Sequence, residues 1–265
     1  MKTIVILVFA LVLISCQDKK ENQPDTSKIN AETAASKNDS EKSEPVADTI
    51  KRIEVGYWDQ YEKMPKLNPD SISEMEFESI TPKKFLQAVK PEQKGNYFYI
   101  STPDKKHAFK KYKDYGGEES WSGYELLGRY TDSKLYAMIQ NTTAENLGFG
   151  EFFLFDPVSE YHYNIVSFGD ASVETPIPSL NNKYLVYYYN GEYENHNCDI
   201  AILKVNDLSD PKHYLTEVAS CHKEDFTIEK IVWKTDECFY VKGYPKSVEI
   251  KTGEKKYSYL KLEIK

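Results

Sequence analysis

The sequence predicts a mainly β domain: antiparallel β-meander repeats in a propeller-like set of about four small sheets. Three observations lead there. Beyond about residue 95, short runs rich in tyrosine, phenylalanine, valine and isoleucine alternate with polar turn clusters, the pattern of strands. The runs are periodic, with Leu154, Ile202 and Ile250 spaced 48 residues apart, and strand-rich repeats of roughly 40 to 50 residues have the spacing of propeller blades. Aromatic residues form 14% of the chain, and sheets hold aromatics on their faces through cross-strand pairing.

The chain divides into three parts: 1–15, 16–50 and 51–265. Lys2 precedes an almost unbroken apolar run over residues 4–14. That run is shorter than the roughly 20 residues a membrane-crossing helix needs, and it fits the apolar core of a secretory signal peptide. Leu13-Ile14-Ser15-Cys16 resembles the lipobox of bacterial lipoproteins. The resemblance implies a diacylglyceryl group on the Cys16 thiol, cleavage just before Cys16, and acylation of the new amino group. One acyl chain holds a protein only marginally, whereas two or three make a lasting anchor. The charged tract Gln17-Asp18-Lys19-Lys20-Glu21 resembles the export signal of Bacteroidota surface lipoproteins. It implies an outer-membrane address, with the outer face expected and the periplasmic face as the alternative.

Residues 17–50 contain no aromatic residue and are dominated by Lys, Glu, Asp, Asn, Ser and Ala. Such a stretch cannot bury enough apolar surface to offset its conformational entropy, so a disordered tether is expected. Asp48-Thr49-Ile50 and Asp70-Ser71-Ile72 resemble the three-residue O-glycosylation pattern of exported Bacteroidota proteins.

Residues 51–265 are ample for one domain with a sizeable core. A short helix is expected near 82–89: Thr81 caps it, Pro82 suits its first turn, Phe85, Leu86 and Val89 share a face, and Pro91 stops it. Three strand units follow. The first joins Leu135-Tyr136-Ala137-Met138, Phe152-Phe153-Leu154-Phe155-Asp156 and Tyr161-His162-Tyr163-Asn164-Ile165. The second joins Tyr184-Leu185-Val186-Tyr187, Ile200-Ala201-Ile202-Leu203 and His213-Tyr214-Leu215-Thr216. The third joins Cys238-Phe239-Tyr240-Val241, Val248-Glu249-Ile250 and Tyr257-Ser258-Tyr259-Leu260. Tyr97–Ser101 with residues 108–115 gives a partial fourth unit. The stretch from Thr175 through Pro176, Pro178 and Ser179 to Tyr187 resembles a turn of bacterial periplasmic propellers, a likeness of architecture that implies no activity. A β-sandwich or an open meander is the alternative.

Apart from Cys16 there are three cysteines. A hairpin centred on the turn at 206–211 places Cys198 and Cys221 opposite each other, and an exported setting favours a disulfide between them. The bond would contribute about 3 kcal/mol by loop-closure entropy. A zinc site from His196, Cys198, Cys221 and His222 has suitable ligand types but none of the usual spacings. Cys238, in an apolar strand, is expected to be a buried thiol or the partner of one of the other two.

The sequence has no nucleophile elbow, no His-Glu-x-x-His, no phosphate-binding glycine loop and no dinucleotide fingerprint. No catalytic residue, metal or cofactor is assigned. His162 and His213 fall in expected strands, where a solvent-facing position is expected. From Lys51 onward there are 28 basic and 34 acidic residues, a net of −6, which argues against a nucleic-acid partner. The candidate binding residues are aromatic. Trp121 and Tyr124 bracket a Gly/Ser-rich loop, and one of Tyr187, Tyr188 and Tyr189 must turn away from a one-sided core, with Tyr188 the candidate. Tyr193 follows in the next loop. Exposed Tyr and Trp suit a protein interface or sugar stacking. The expected function is a lipid-anchored envelope protein whose non-catalytic β domain binds a protein or glycan. The alternatives are a glycan hydrolase with an acidic pair near Asp170 or Glu174, and an inhibitor or immunity-type lipoprotein.

Overall fold

A computed structural model of the protein describes residues 51–113, 121–144, 147–166, 168, 173–191 and 196–265. The chain begins there as a strap: β1 (Lys51–Val55), α1 (Trp58–Tyr61), β2 (Asp70–Ser71), α2 (Glu74–Glu78) and β3 (Leu86–Gln87). Sheet 1 follows, with β4 (Glu92–Lys94), β5 (Tyr97–Ser101) and β6 (Lys106–Lys110). Sheet 2 is the meander β7 (Trp121–Tyr130), β8 (Tyr136–Ala144), β9 (Leu147–Asp156) and β10 (Tyr161–Ile165). Sheet 3 is β11 (Ile177–Pro178), β12 (Tyr184–Asn190), β13 (Cys198–Val205) and β14 (Leu215–Lys223). Sheet 4 is β15 (Thr227–Trp233), β16 (Cys238–Tyr244) and β17 (Ser258–Glu263), with α3 (Lys246–Thr252) inserted between the last two strands. The expected architecture of about four small meander sheets is the one observed.

The strap closes open edges. β1 lies parallel on β10, β3 pairs with β7, and β2 becomes the fourth strand of sheet 4 beside β17. Between them the Leu67 amide donates to Ser220 of β14 at 2.7 Å, and the Ser220 amide donates to Pro65 at 3.0 Å. Edges that would otherwise present unpaired backbone groups are thereby occupied.

The four sheets stack in chain order. Phe98, Ile100 and Phe109 of sheet 1 pack on Met138, Phe153 and Phe155 of sheet 2. The opposite face of sheet 2, with Leu154 and Tyr163, packs on Leu185, Tyr187 and Leu203 of sheet 3. Val186, Ile200 and Ile202 on the other side of sheet 3 meet Phe239, Val241 and Leu260 of sheet 4. Phe77 of α2 covers Val232, Cys238 and Tyr240 beyond sheet 4, and the Ser73 hydroxyl caps that helix by accepting from the Glu76 amide. Burial on both faces explains why all six residues from Cys198 to Leu203 are buried and why the inner strands read as continuous apolar runs.

Two expected elements are corrected. Residues 82–89 form no helix: Leu86–Gln87 is a strand paired with Tyr130 and Arg129. A helix that short has little stability of its own, whereas the β7 edge supplies backbone partners. Gly128 permits the approach, because a Cβ there would lie 2.8 Å from the Gln87 carbonyl oxygen. Val248-Glu249-Ile250 is not a strand but lies in α3, which ends at Gly253 in the left-handed conformation (φ 73°). The counterpart of Ile202 in sheet 4 is Leu260, which pairs with Val241 as Ile202 pairs with Val186.

The expected Cys198–Cys221 disulfide is also corrected. Cys198, Cys221 and Cys238 are free and buried. The β13–β14 register sets Cys198 opposite Lys223 and Cys221 opposite Ile200, so the two cysteines are diagonal rather than direct neighbours. Such diagonal neighbours stand about 7 Å apart, beyond the roughly 4 Å Cβ separation of a disulfide. Burial pushes the thiol pKa of all three up, which suppresses the reactive thiolate. Denaturation without reductant is therefore expected to expose three titratable thiols in the domain, unchanged by reductant. A count of one would restore the disulfide.

Candidate functional site

The register defines two ends of the stack. Lys51 pairs with Tyr161, next to the β9–β10 turn, and Val55 pairs with Ile165 at the opposite, far end. The Ala144–Leu147 pair that ends β8 and β9 and the Asn190–Cys198 pair of sheet 3 lie at the far end too, the latter joined to α1. Gly56, with φ 80°, turns the chain out of β1 at a value only glycine adopts readily.

The far end carries an aromatic assembly. α1 is a single turn, held by burial of Tyr61 (2% exposed) rather than by helix propensity. Trp58 stacks on the Tyr61 ring at 5.6 Å and is itself 54% exposed. Tyr61 meets Phe168 edge-on at 5.1 Å, and Phe168 packs on Tyr187 at 5.2 Å and stacks with Tyr189 at 6.4 Å. Tyr57, beside Trp58, is 47% exposed.

Polar groups fix the same assembly. The Tyr61 hydroxyl lies 2.8 Å from Asp199 Oδ1 and 3.0 Å from the Cys221 carbonyl oxygen, which share its single proton. Burial, reinforced by the Asp199 charge, pushes the Tyr61 pKa up and keeps that proton in place. His222 Nδ1 is 2.8 Å from the same Asp199 oxygen. A carboxylate only accepts, so Nδ1 donates, and Nε2 is left on the other side of the ring for a further partner. Asp199 is buried while the His222 side chain is 45% exposed, so the ring is held at its root and open at its tip. The Lys66 ammonium sits 4.8 Å over the Tyr61 ring and donates to the Tyr61 carbonyl and the Ser220 hydroxyl, both at 2.9 Å.

The aromatic residues singled out from sequence do not form one rim. Trp121 and Tyr124 lie within β7, not on a loop. Tyr124 packs edge-on against Phe109 and Phe153 and belongs to the core between sheets 1 and 2. Tyr188 faces sheet 4, where burial first and the Glu174 charge second push its pKa up to about 12. Tyr187 and Tyr189 face the other way, so none of the three tyrosines is left in solvent, because sheet 3 is covered on both sides. Tyr193 and Asp170 lie outside the described residues, as does Cys16.

His162, expected to face solvent, is 2% exposed and stacks on Phe153 at 4.5 Å. Cys198 and Cys221 face sheet 4 while His222 faces the opposite side with Asp199, so the sheet itself divides the four residues weighed as zinc ligands. Among the described residues no group of three His, Cys, Asp or Glu side chains could hold a metal. Glu174 is exposed. Elsewhere, a surface groove is lined by Glu76, Glu237 and Glu263 with Lys234 and Lys261. The Tyr240 hydroxyl and then Lys234 hold Glu76 below the usual carboxylate range, opposite to the raised value a glycosidase acid needs.

Sequence reading missed the α1 assembly. Its only local sign was Tyr57-Trp58 directly after Gly56. Phe168, Tyr189, Asp199 and His222 come from three distant segments. Fold and site together define a stacked, four-sheet β protein with an aromatic and histidine–aspartate surface at one end. No family model, curated protein or solved structure matches the chain.

Proposed function

We propose that this is a lipid-anchored envelope protein, held in the bacterial outer membrane through Cys16, whose β domain is non-catalytic and binds a protein or glycan with its far end. The observation that carries the reading is that most of the exposed large apolar side chains lie there. Of the ten among the described residues, Tyr57, Trp58, Leu147, Phe149, Ile250 and Tyr257 belong to segments at the far end, while Met75, Val158, Leu180 and Leu208 lie elsewhere. The lipobox resemblance and the aromatic-free 17–50 segment support the anchor and its reach.

Two measurements test the proposal. Cys16→Ser should leave the protein in the soluble fraction, and retention in the membrane would overturn the anchor. A photo-crosslinking residue at position 58 or 149 should give a covalent adduct on intact cells, while one at position 208, on the exposed turn before β14 at the Lys51 end, should not. Adducts from position 208 alone would overturn the far-end reading.

A further inference from the structure

The α1 assembly combines two features that sugar rings need together. One is a flat aromatic face open to solvent. Trp58 stacks on Tyr61 and remains 54% exposed, and the C–H face of a pyranose packs on such a surface much as an apolar side chain does. The other is a polar group of fixed direction beside it. His222 is oriented by Asp199, which also accepts from the Tyr61 hydroxyl beneath Trp58. Trp58 and His222 are thus tied to one another through Tyr61 and Asp199, with no long flexible side chain in the path. Binding there would order few rotamers, which lowers the cost of association.

We infer that the surface between Trp58 and His222 is a carbohydrate subsite. A pyranose ring lies on the exposed surface of Trp58, and one of its hydroxyls hydrogen-bonds Nε2 of His222. The inference rests on the far-end binding reading and narrows its partner to a glycan. A hydroxyl both donates and accepts, so it pairs with Nε2 in either role. The Lys66 ammonium is already engaged by the Tyr61 ring, the Tyr61 carbonyl and Ser220.

The test is ligand-observed saturation-transfer NMR on the full chain in detergent. The probes are glucose, galactose, mannose, N-acetylglucosamine, their β-linked trisaccharides, and glucuronic acid as the acidic counterpart. At least one of these sugars should bind, with its ring C–H protons receiving the strongest transfer. Trp58→Ala should weaken that binding by about fivefold to tenfold, the range of a stacked aromatic contact. His222→Phe, which keeps a flat ring and removes its nitrogens, should weaken it several-fold, while His222→Gln should retain more. Trp58→Ala should leave the thermal midpoint near the parent's, whereas His222→Phe also removes a donor from the buried Asp199 and should lower it, so binding is compared at a temperature where every variant is folded. Binding that survives Trp58→Ala would overturn the subsite. If no sugar binds while position 58 still crosslinks on cells, the subsite falls and the far-end reading stands; if neither occurs, both fall.

Discussion

Phe239→Ala should reduce the stability of the β domain by about 3 to 5 kcal/mol, the cost of truncating a buried phenylalanine. Phe239 is fully buried at the centre of the interface between sheets 3 and 4, with its ring 5.1 Å from that of Trp233. Its neighbours Val186, Ile200, Ile202 and Val241 come from three strands whose backbones are fixed by pairing on both sides. They cannot close around a missing ring, so the cavity term adds to the lost transfer energy. Domains of this kind are stable by about 5 to 15 kcal/mol, so the variant should sit near the edge of folding. Urea denaturation should show a lower midpoint with little change in slope. Met75→Ala, at a position 81% exposed, is the control and should shift the midpoint by less than about 0.5 kcal/mol. Equal, small shifts in both variants would show that the stacked sheets do not share a packed core.

Acid should destabilise the domain through His162, and the effect should begin well above the range in which carboxylates titrate. His162 stacks on Phe153, meets Phe155 edge-on at 4.9 Å and lies 6.1 Å from Phe109. Burial there, followed by the charges of Arg52 and His107, lowers its pKa to about 3. The direction follows from linkage. Above about pH 6.5, the ordinary histidine value, the ring is neutral folded and unfolded and contributes no pH dependence. Between pH 6.5 and 3 the unfolded chain binds a proton that the folded one refuses, so stability falls by up to about 1.4 kcal/mol per pH unit. Below about pH 3 both forms are protonated and the loss stops growing, at about 5 kcal/mol in all. His162→Phe, which keeps a flat ring in the stack and cannot titrate, should remove this slope. The comparison is cleanest from pH 6.5 to 4.5, where the carboxylates held low by their partners, such as Glu160 and Asp225, stay ionised. Identical slopes for parent and variant in that window would sink the assignment.

Much of the fold was legible because it is local. Phe152 to Asp156 and Tyr161 to Ile165 are strands by their residue types, and both occur where expected. The partial unit at Tyr97–Ser101 proved to be a three-stranded sheet. Less was legible where a segment has no strong preference. Residues 82–89 carry helix punctuation yet join a sheet, because pairing with β7 outweighs the propensity of one or two turns. Val248 and Ile250 read as strand residues, yet occupy a helix bounded by Pro245 and Gly253.

The aromatic site was not legible, although every residue in it was visible. Trp58 had only the adjacent Tyr57 after Gly56 to mark it, and Tyr188 and Tyr124 looked equally suitable. What separates them is which surfaces the sheets cover. Tyr188 and Tyr124 fall between sheets, while Trp58 sits on a one-turn helix at an open end.

By itself, the sequence determined the strand content, the lipobox resemblance and the aromatic-free composition of residues 17–50, since each is written in residue types within a few tens of positions. Only the tertiary structure decided the face and partner of each side chain. The register of β13–β14 parts Cys198 from Cys221, the strap joins three sheets across long separations, and stacking on both sides buries His162. The physical reason is the period of two along a strand: a register change of one residue exchanges core and solvent, and register is set by distant edges that composition does not name.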